Sequence, residues 1–159
     1  GKYYLPYLFL VSADFWIISN LVLAMIMSVP AFNIYTHGTH ITVAHSMGST
    51  IGINTMILLA SIFYILYDCK IISEEDSKLK FVRKGFWIMN ISLLIFWLNL
   101  ILIGMLKSYY TFQGLHHQQI MNLLSSYFLG FLVFGIGVCI GVMFIVFPIL
   151  KKKNFRLAS

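Results

Sequence analysis

One short segment of the chain places a histidine and a methionine two residues apart inside a long apolar run. The two residues are His45 and Met47. An imidazole in hydrocarbon must find a hydrogen-bond partner or donate a lone pair to a metal, because an unpaired polar group there costs several kcal/mol. Methionine sulfur is also an established ligand of haem iron. Position alone favours a hydrogen-bonded packing histidine and a core-filling methionine, so metal ligation is the alternative interpretation at this point.

The spacing of the pair sets a geometric expectation for the helix that carries it. Residues advance by about 100° around a helix, so His45 and Met47 point toward nearly opposite sides and can each serve a different haem. One face of this helix contains five residues: His45, Gly48, Ser49, Gly52 and Met56. This face is flat enough for a close neighbouring helix or for a planar ligand. Gly48 and Gly52 also fit the GxxxG pattern, which predicts helix packing without any ligand.

The elements that position these residues follow from the composition. The 159 residues are 60% hydrophobic and 10% charged, which excludes a soluble domain of this size. A bilayer core of roughly 30 Å needs about 20 apolar helical residues. Four runs are long enough, at residues 7–29, 41–66, 85–106 and 127–150. The sequence therefore predicts an all-α integral membrane helix bundle, with residues 1–159 as a single transmembrane domain whose main partner is membrane lipid.

Basic residues mark two ends of the predicted helices. They follow the second and the fourth helix: Lys70, Lys78, Lys80, Arg83, Lys84, Lys151, Lys152, Lys153 and Arg156. The positive-inside rule places both ends in the cytoplasm, the C-terminus among them, and leaves the loops at residues 30–40 and 107–126 outside. The formal charge of +6 is thus a membrane-edge feature, and no nucleic-acid partner is expected.

The sequence leaves the roles of several other polar residues undecided. Asp14 lies within about two turns of the predicted cytoplasmic end of its helix, where it can reach the headgroups. His116 and His117 fall in the second predicted external loop, where a solvated role is favoured over metal binding because no carboxylate is nearby in sequence. Cys69 and Cys139 have no CxxC spacing and indicate neither a disulfide framework nor a thiolate metal site.

The run at residues 33–45 carries a specific resemblance. It reads Asn-Ile-Tyr-Thr-His-Gly-Thr-His-Ile-Thr-Val-Ala-His. This run resembles the signature of nitric oxide reductase large (cytochrome b) subunits of the haem-copper oxidase superfamily, which read N-Y-Y-T-H-G-T, three or four further residues, and A-H-G-H. A Gly-Phe-Trp at residues 85–87, expected to open the next helix, and a last helix with a basic tail follow in the family's order. The resemblance implies the C-terminal portion of such a subunit, which agrees with a chain that begins at Gly1 rather than methionine.

The resemblance assigns expected roles to three residues. His45 falls on the axial ligand of the catalytic high-spin haem. Met47 stands where the family has the second histidine, the ligand of the low-spin haem. This departure leaves a His/Met low-spin haem, a ligand from elsewhere, or altered electron transfer. His37 falls in the family's His-Gly-Thr and is expected near the haem propionates.

What lies outside this chain also follows from the resemblance. The expected cofactors are low-spin and high-spin haem b and a non-haem iron, whose ligands belong to earlier helices of a roughly twelve-helix subunit. Catalytic residues are therefore unassigned here. The implied reaction is 2 NO + 2 e⁻ + 2 H⁺ to N₂O and H₂O, with a cytochrome c subunit or a quinol as electron donor. The implied location is the cytoplasmic membrane of a bacterium, in a denitrifying respiratory chain.

Two other classes of function remain as alternatives. Within the enzymes, a nitric oxide dismutase-like or an oxygen-reducing relative shares most of the pattern, and residues 36–39 argue against the oxidase. Outside the enzymes, a haem-free membrane subunit would use Gly48 and Gly52 for packing alone, and the loss of the second histidine favours it. An imidazole at the depth of His45 disfavours it, because packing alone does not need one.

Overall fold

The protein is seen here as a computed structural model that describes residues 3–73 and 76–150. Within those ranges it is helical and contains no strand, so the predicted all-α fold is confirmed. The helices in chain order are α1 (Tyr4–Ser28), α2 (Pro30–Thr36), α3 (His40–Met47), a π-helical stretch (Gly48–Thr55), α4 (Met56–Asp68), α5 (Leu79–Phe112) and α6 (His117–Leu150).

Among the described residues, four helices are long and apolar enough to cross a membrane. Three of them are α1, α5 and α6, and the fourth is the continuous helix His40–Asp68, formed by α3, the π-helical stretch and α4. The shortest has 25 residues, more than the approximately 20 that a bilayer requires. The predicted apolar runs coincide with these helices, except that Val29, the last residue of the first predicted run, lies just beyond the end of α1.

The helices α5 and α6 extend well beyond the apolar runs. Each has 34 residues. Residues 107–112 and 117–126, which were predicted as loop, are therefore helical. The actual connection is short and turns at Gly114, whose φ of 79° suits glycine. The polar ends stay helical because Ile120 and Leu124, one turn apart, are buried in a small cluster with Ile103. Hydropathy identifies the segments that cross the membrane core, but it contains no information about this packing beyond the apolar runs.

The segment between α1 and α3 also contains a helix that was predicted as loop. Residues 30–36 form α2, which begins with Pro30 at its first helical positions. Proline has no N–H to lose there, and its fixed φ matches the helix. Val29 is extended, with ψ of 121°, and separates α2 from α1.

Gly85 lies inside α5 and does not open it, because α5 begins at Leu79. The glycine has a packing role instead. A Cβ at Gly85 would lie 2.7 Å from the carbonyl oxygen of Gly141, and one at Gly141 would lie 2.6 Å from the Cβ of Met89. The backbones of α5 and α6 therefore pair closely at this level.

Aromatic side chains fill the core between α1, α4 and α5. The rings of Phe9 and Phe63 stack with centroids 5.4 Å apart, and Phe86 meets Phe9 edge-on at 5.2 Å. Closer to the π-helical stretch, Trp16 meets Trp97 edge-on at 5.9 Å. These contacts hold α1 against the helix that carries His45.

Part of the predicted charge pattern falls on described residues. Lys78, Lys80, Arg83 and Lys84 lie at the beginning of α5, the end of the bundle to which α4 also runs. The basic tail at residues 151–159 lies outside the described residues. Membrane orientation therefore stays a prediction from the sequence.

Candidate functional site

The helix that carries the candidate ligands starts at a sequence-encoded cap. The Thr39 hydroxyl accepts a hydrogen bond from the Ile41 N–H at 3.2 Å and donates one to the Thr36 carbonyl at 2.7 Å. Gly38 adopts φ of 69°, which reverses the chain between α2 and α3. The Gly-Thr pair thus fixes the point from which α3 enters the membrane.

His45 lies on α3, one turn after the buried residue Ile41. Its side chain is half-buried, and its Nδ1 atom is fully buried with no hydrogen-bond partner. The accessible part of the ring is therefore not the Nδ1 edge. The described residues therefore leave the Nδ1 of this imidazole unpaired, unlike that of a fully hydrogen-bonded packing histidine.

Met47 is also half-buried, and it packs against the edge of the main core. The buried ridge of α3 consists of Ile41 and Ala44 and continues at Gly48. His45 and Met47 lie on opposite flanks of that ridge, as expected for residues about 200° apart. Neither side chain occupies the ridge itself, so both remain at the helix surface where a cofactor can approach.

The glycine face of this helix is filled by side chains of neighbouring helices. A Cβ at Gly48 would lie 2.6 Å from Oδ1 of Asn20 on α1, and one at Gly52 would lie 2.6 Å from the indole of Trp16. Of the two expectations for this face, the close neighbour is the one that the structure contains. A planar ligand would have to approach His45 from its flank.

A hydrogen-bonded chain connects α1 to the backbone of His45. Asn20 donates from Nδ2 to the Ser49 hydroxyl at 2.6 Å, and Ser49 donates to the His45 carbonyl at 3.2 Å. Sequence reasoning identified Ser49 only as part of a face and did not single out Asn20 as a site residue. The i+4 spacing of Ser49 from His45 was the only signal available for this chain of bonds.

The structure also contains a π-helical stretch, Gly48–Thr55, that begins one residue after Met47. Hydrogen bonds from i to i+5 are rare and occur mostly near functional sites. Sequence reasoning assumed an uninterrupted α-helix and missed it. The stretch directly follows the candidate ligand pair. Its wider turns change the direction in which this part of the helix faces α1 and α5.

His40 is a further polar residue that sequence reasoning left without a role. Its Nδ1 is buried with no hydrogen-bond partner, and its ring stacks on Phe131 of α6 at 5.9 Å and 19°. It occupies the first position of α3 and lies about one turn and a half from His45. The ring packs between helices, which accounts for its burial.

The remaining predicted residues are not brought to His45. His37 is exposed after α2, Asp14 is exposed on α1, and His116 and His117 are exposed at the start of α6. In the ranges 3–73 and 76–150, no group of three or more His, Cys, Asp or Glu side chains is arranged to hold a metal ion.

Comparison with known proteins gives one match. A family model described as "Cytochrome C and Quinol oxidase polypeptide I" matches residues 2–131. The match contains α1 to α5, the first part of α6, and every candidate ligand described above. No curated protein and no solved structure matches the chain.

Proposed function

The chain belongs to the cytochrome c and quinol oxidase polypeptide I family, and on that basis we propose that it forms part of the catalytic subunit of a nitric oxide reductase. Members of this family are membrane oxidoreductases of the haem-copper superfamily and bind haem. The observation that carries the proposal is His45, an imidazole within a membrane helix whose buried Nδ1 has no hydrogen-bond partner among the described residues. Further helices of the subunit would supply the non-haem iron ligands.

The residues present fit a haem in two respects. His45 offers a nitrogen on the accessible flank of α3, and Met47 offers a thioether on the opposite flank. Haem iron, when bound, would supply the one-electron redox chemistry of the reaction. The tasks of this chain are to hold the imidazole at a fixed height through Ser49 and Asn20, and to keep water out of the site with the apolar faces of α1 and α5.

One sequence feature favours nitric oxide over dioxygen as the substrate. The Tyr-Thr-His-Gly-Thr run at residues 35–39 resembles the reductase branch of the superfamily. Within that run, Gly38 and Thr39 form the turn and cap of α3, a local role that is independent of the substrate. His37, exposed beside this turn, is proposed as a cationic or polar neighbour of the haem propionates.

A haem-free packing subunit is the second candidate function. The observation in its favour is the fit of Asn20 and Trp16 against Gly48 and Gly52, which explains both glycines without a cofactor. It does not explain His45, because no described side chain needs an imidazole at that position. The two candidates therefore make opposite predictions about bound haem.

The testing experiment is optical and magnetic spectroscopy of the assembled complex, in its oxidised and reduced forms, together with amperometric measurement of NO consumption. A high-spin haem that is lost in His45→Gly, with turnover of NO in the wild type, is the expected result. An intact complex without any haem would leave the haem-free packing subunit as the supported function. Haem with turnover of dioxygen but not of NO would move the chain to the oxygen-reducing branch.

A further inference from the structure

A cavity of about 420 Å³ lies where α5 begins and α6 ends. Its walls are formed by Lys78, Phe81, Met143, Phe144, Phe147 and Pro148. The volume falls in the range of small-molecule pockets, about 300–1,000 Å³. The family match ends at residue 131, before the α6 residues that form this cavity. The cavity is also at the opposite end of α5 from the residues that contact α3.

The deep part of the cavity is suited to a hydrocarbon chain. The rings of Phe81 and Phe144 stack with centroids 6.4 Å apart and form one wall. Met143 and Phe147 are exposed on the outer surface of α6 and form the other side. An apolar occupant that entered from the bilayer would cover these side chains without losing hydrogen bonds.

The rim of the cavity is cationic. Lys78 lines it directly, at the N-terminal boundary of α5. Three more basic residues follow within two turns of that helix: Lys80, Arg83 and Lys84. Lysine in this position can extend its apolar stem along the wall and place its ammonium group at the level of lipid phosphates.

We propose that this cavity is a binding site for an anionic phospholipid, with the acyl chain against Phe81 and Phe144 and the phosphate at Lys78. Phosphatidylglycerol has both features, a net negative headgroup and acyl chains. Phosphatidylcholine has the acyl chains but no net negative charge. The proposal concerns a lipid drawn from the bilayer and does not depend on haem chemistry.

The test is retention of lipid by the purified, assembled complex. The complex is reconstituted with phosphatidylglycerol or phosphatidylcholine of identical chains, purified again in detergent, and its bound lipid is counted by native mass spectrometry. Preferential retention of phosphatidylglycerol is expected. Lys78→Gln should reduce that retention about fivefold, the effect of removing one lysine from an anionic membrane surface. Met143→Trp, which fills the cavity from an exposed position, should reduce retention of both lipids.

Lys70→Gln is the matched control, since Lys70 lies at the same end of the bundle but does not line the cavity. It should leave retention unchanged. Equal losses of phosphatidylglycerol retention in Lys70→Gln and Lys78→Gln would show general attraction to the basic surface rather than a site, and would overturn the proposal. Equal retention of the two lipids by the wild type would also overturn it, and so would retention that Met143→Trp leaves intact. A circular dichroism spectrum of each variant identifies any that fails to fold.

Discussion

Asn20 of α1 donates a 2.6 Å hydrogen bond to the hydroxyl of Ser49, and that hydroxyl in turn donates to the carbonyl of His45. The candidate ligand is therefore attached through its own backbone to a different helix. This arrangement differs from a bond to the imidazole itself, because it fixes the height of the ligand along α3 without using either ring nitrogen.

We expect that removal of this attachment loosens the ligand helix without removing the ligand. Asn20→Ala, Ser49→Ala and the double variant form a cycle, and the predicted coupling is about 0.6 kcal/mol, the average for hydrogen bonds between membrane helices. Denaturation of the complex measures it, and the electron paramagnetic resonance signal of the haem should broaden in parallel. Asn54→Ala, at an exposed position of the π-helical stretch, is the control. Zero coupling with an unchanged haem signal would remove Asn20 from the positioning of His45.

His45→Gly should abolish the high-spin haem signal. Loss of the ligand itself should weaken iron binding by more than the roughly 10- to 100-fold that supporting residues contribute. Added imidazole should restore part of the signal by occupying the space of the lost ring. His117→Gln, exposed at the start of α6, should have no effect on the spectrum. A full complement of high-spin haem in His45→Gly would mean that its ligand lies elsewhere.

Met47→His tests whether the thioether is a ligand. If it is, histidine in its place should lower the reduction potential of the low-spin haem by on the order of 0.1 V, within the approximately 0.8 V that axial ligands span. A spectroelectrochemical titration measures the potential. Met25→His, at an exposed position of α1, serves as control. An unchanged potential would indicate that Met47 acts only in packing.

Two glycine substitutions should differ in sign. Gly52→Ala would place a Cβ 2.6 Å from the Trp16 indole, and we expect a loss of about 1–3 kcal/mol from the strain. Gly135→Ala meets nothing closer than 3.9 Å, so the usual preference of helices for alanine should make it neutral or slightly stabilising. Thermal unfolding of the two variants provides the comparison. Equal stability of the two variants would show that the contact between α1 and the π-helical stretch is loose enough to accept a methyl group.

The sequence was sufficient for the four spans because bilayer thickness imposes a length on every apolar run. It was not sufficient for their ends. Residues 107–112 and 117–126 are polar enough to be read as loop, yet Ile120 and Leu124 bury their side chains against Ile103 and keep α6 helical. That contact joins residues distant in sequence, and hydropathy contains no information about it.

The candidate site shows the same division. The position of His45 and Met47 on opposite flanks follows from helical periodicity, and burial of Gly48 and Gly52 agrees with their small size. The partner of Ser49 could not be predicted, because Asn20 lies on another helix and local sequence does not specify which helices meet. The roles of His45, Met47 and His37 toward haem remain predictions.

The π-helical stretch has a consequence for how this chain can vary. A hydrogen bond to i+5 adds one residue to a turn, and one residue corresponds to about 100° of rotation. The ligand pair before Gly48 and the core-facing Met56 and Phe63 after Thr55 therefore have a different rotational relationship from the one that a regular α-helix would give them. Within the stretch, Gly48 and Gly52 pack against Asn20 and Trp16 with no room for a Cβ. An insertion or deletion in residues 48–55 would move these contacts out of register and rotate His45 and Met47 relative to the lower half of the helix. The length of this stretch is therefore among the features of the membrane helix that can least vary.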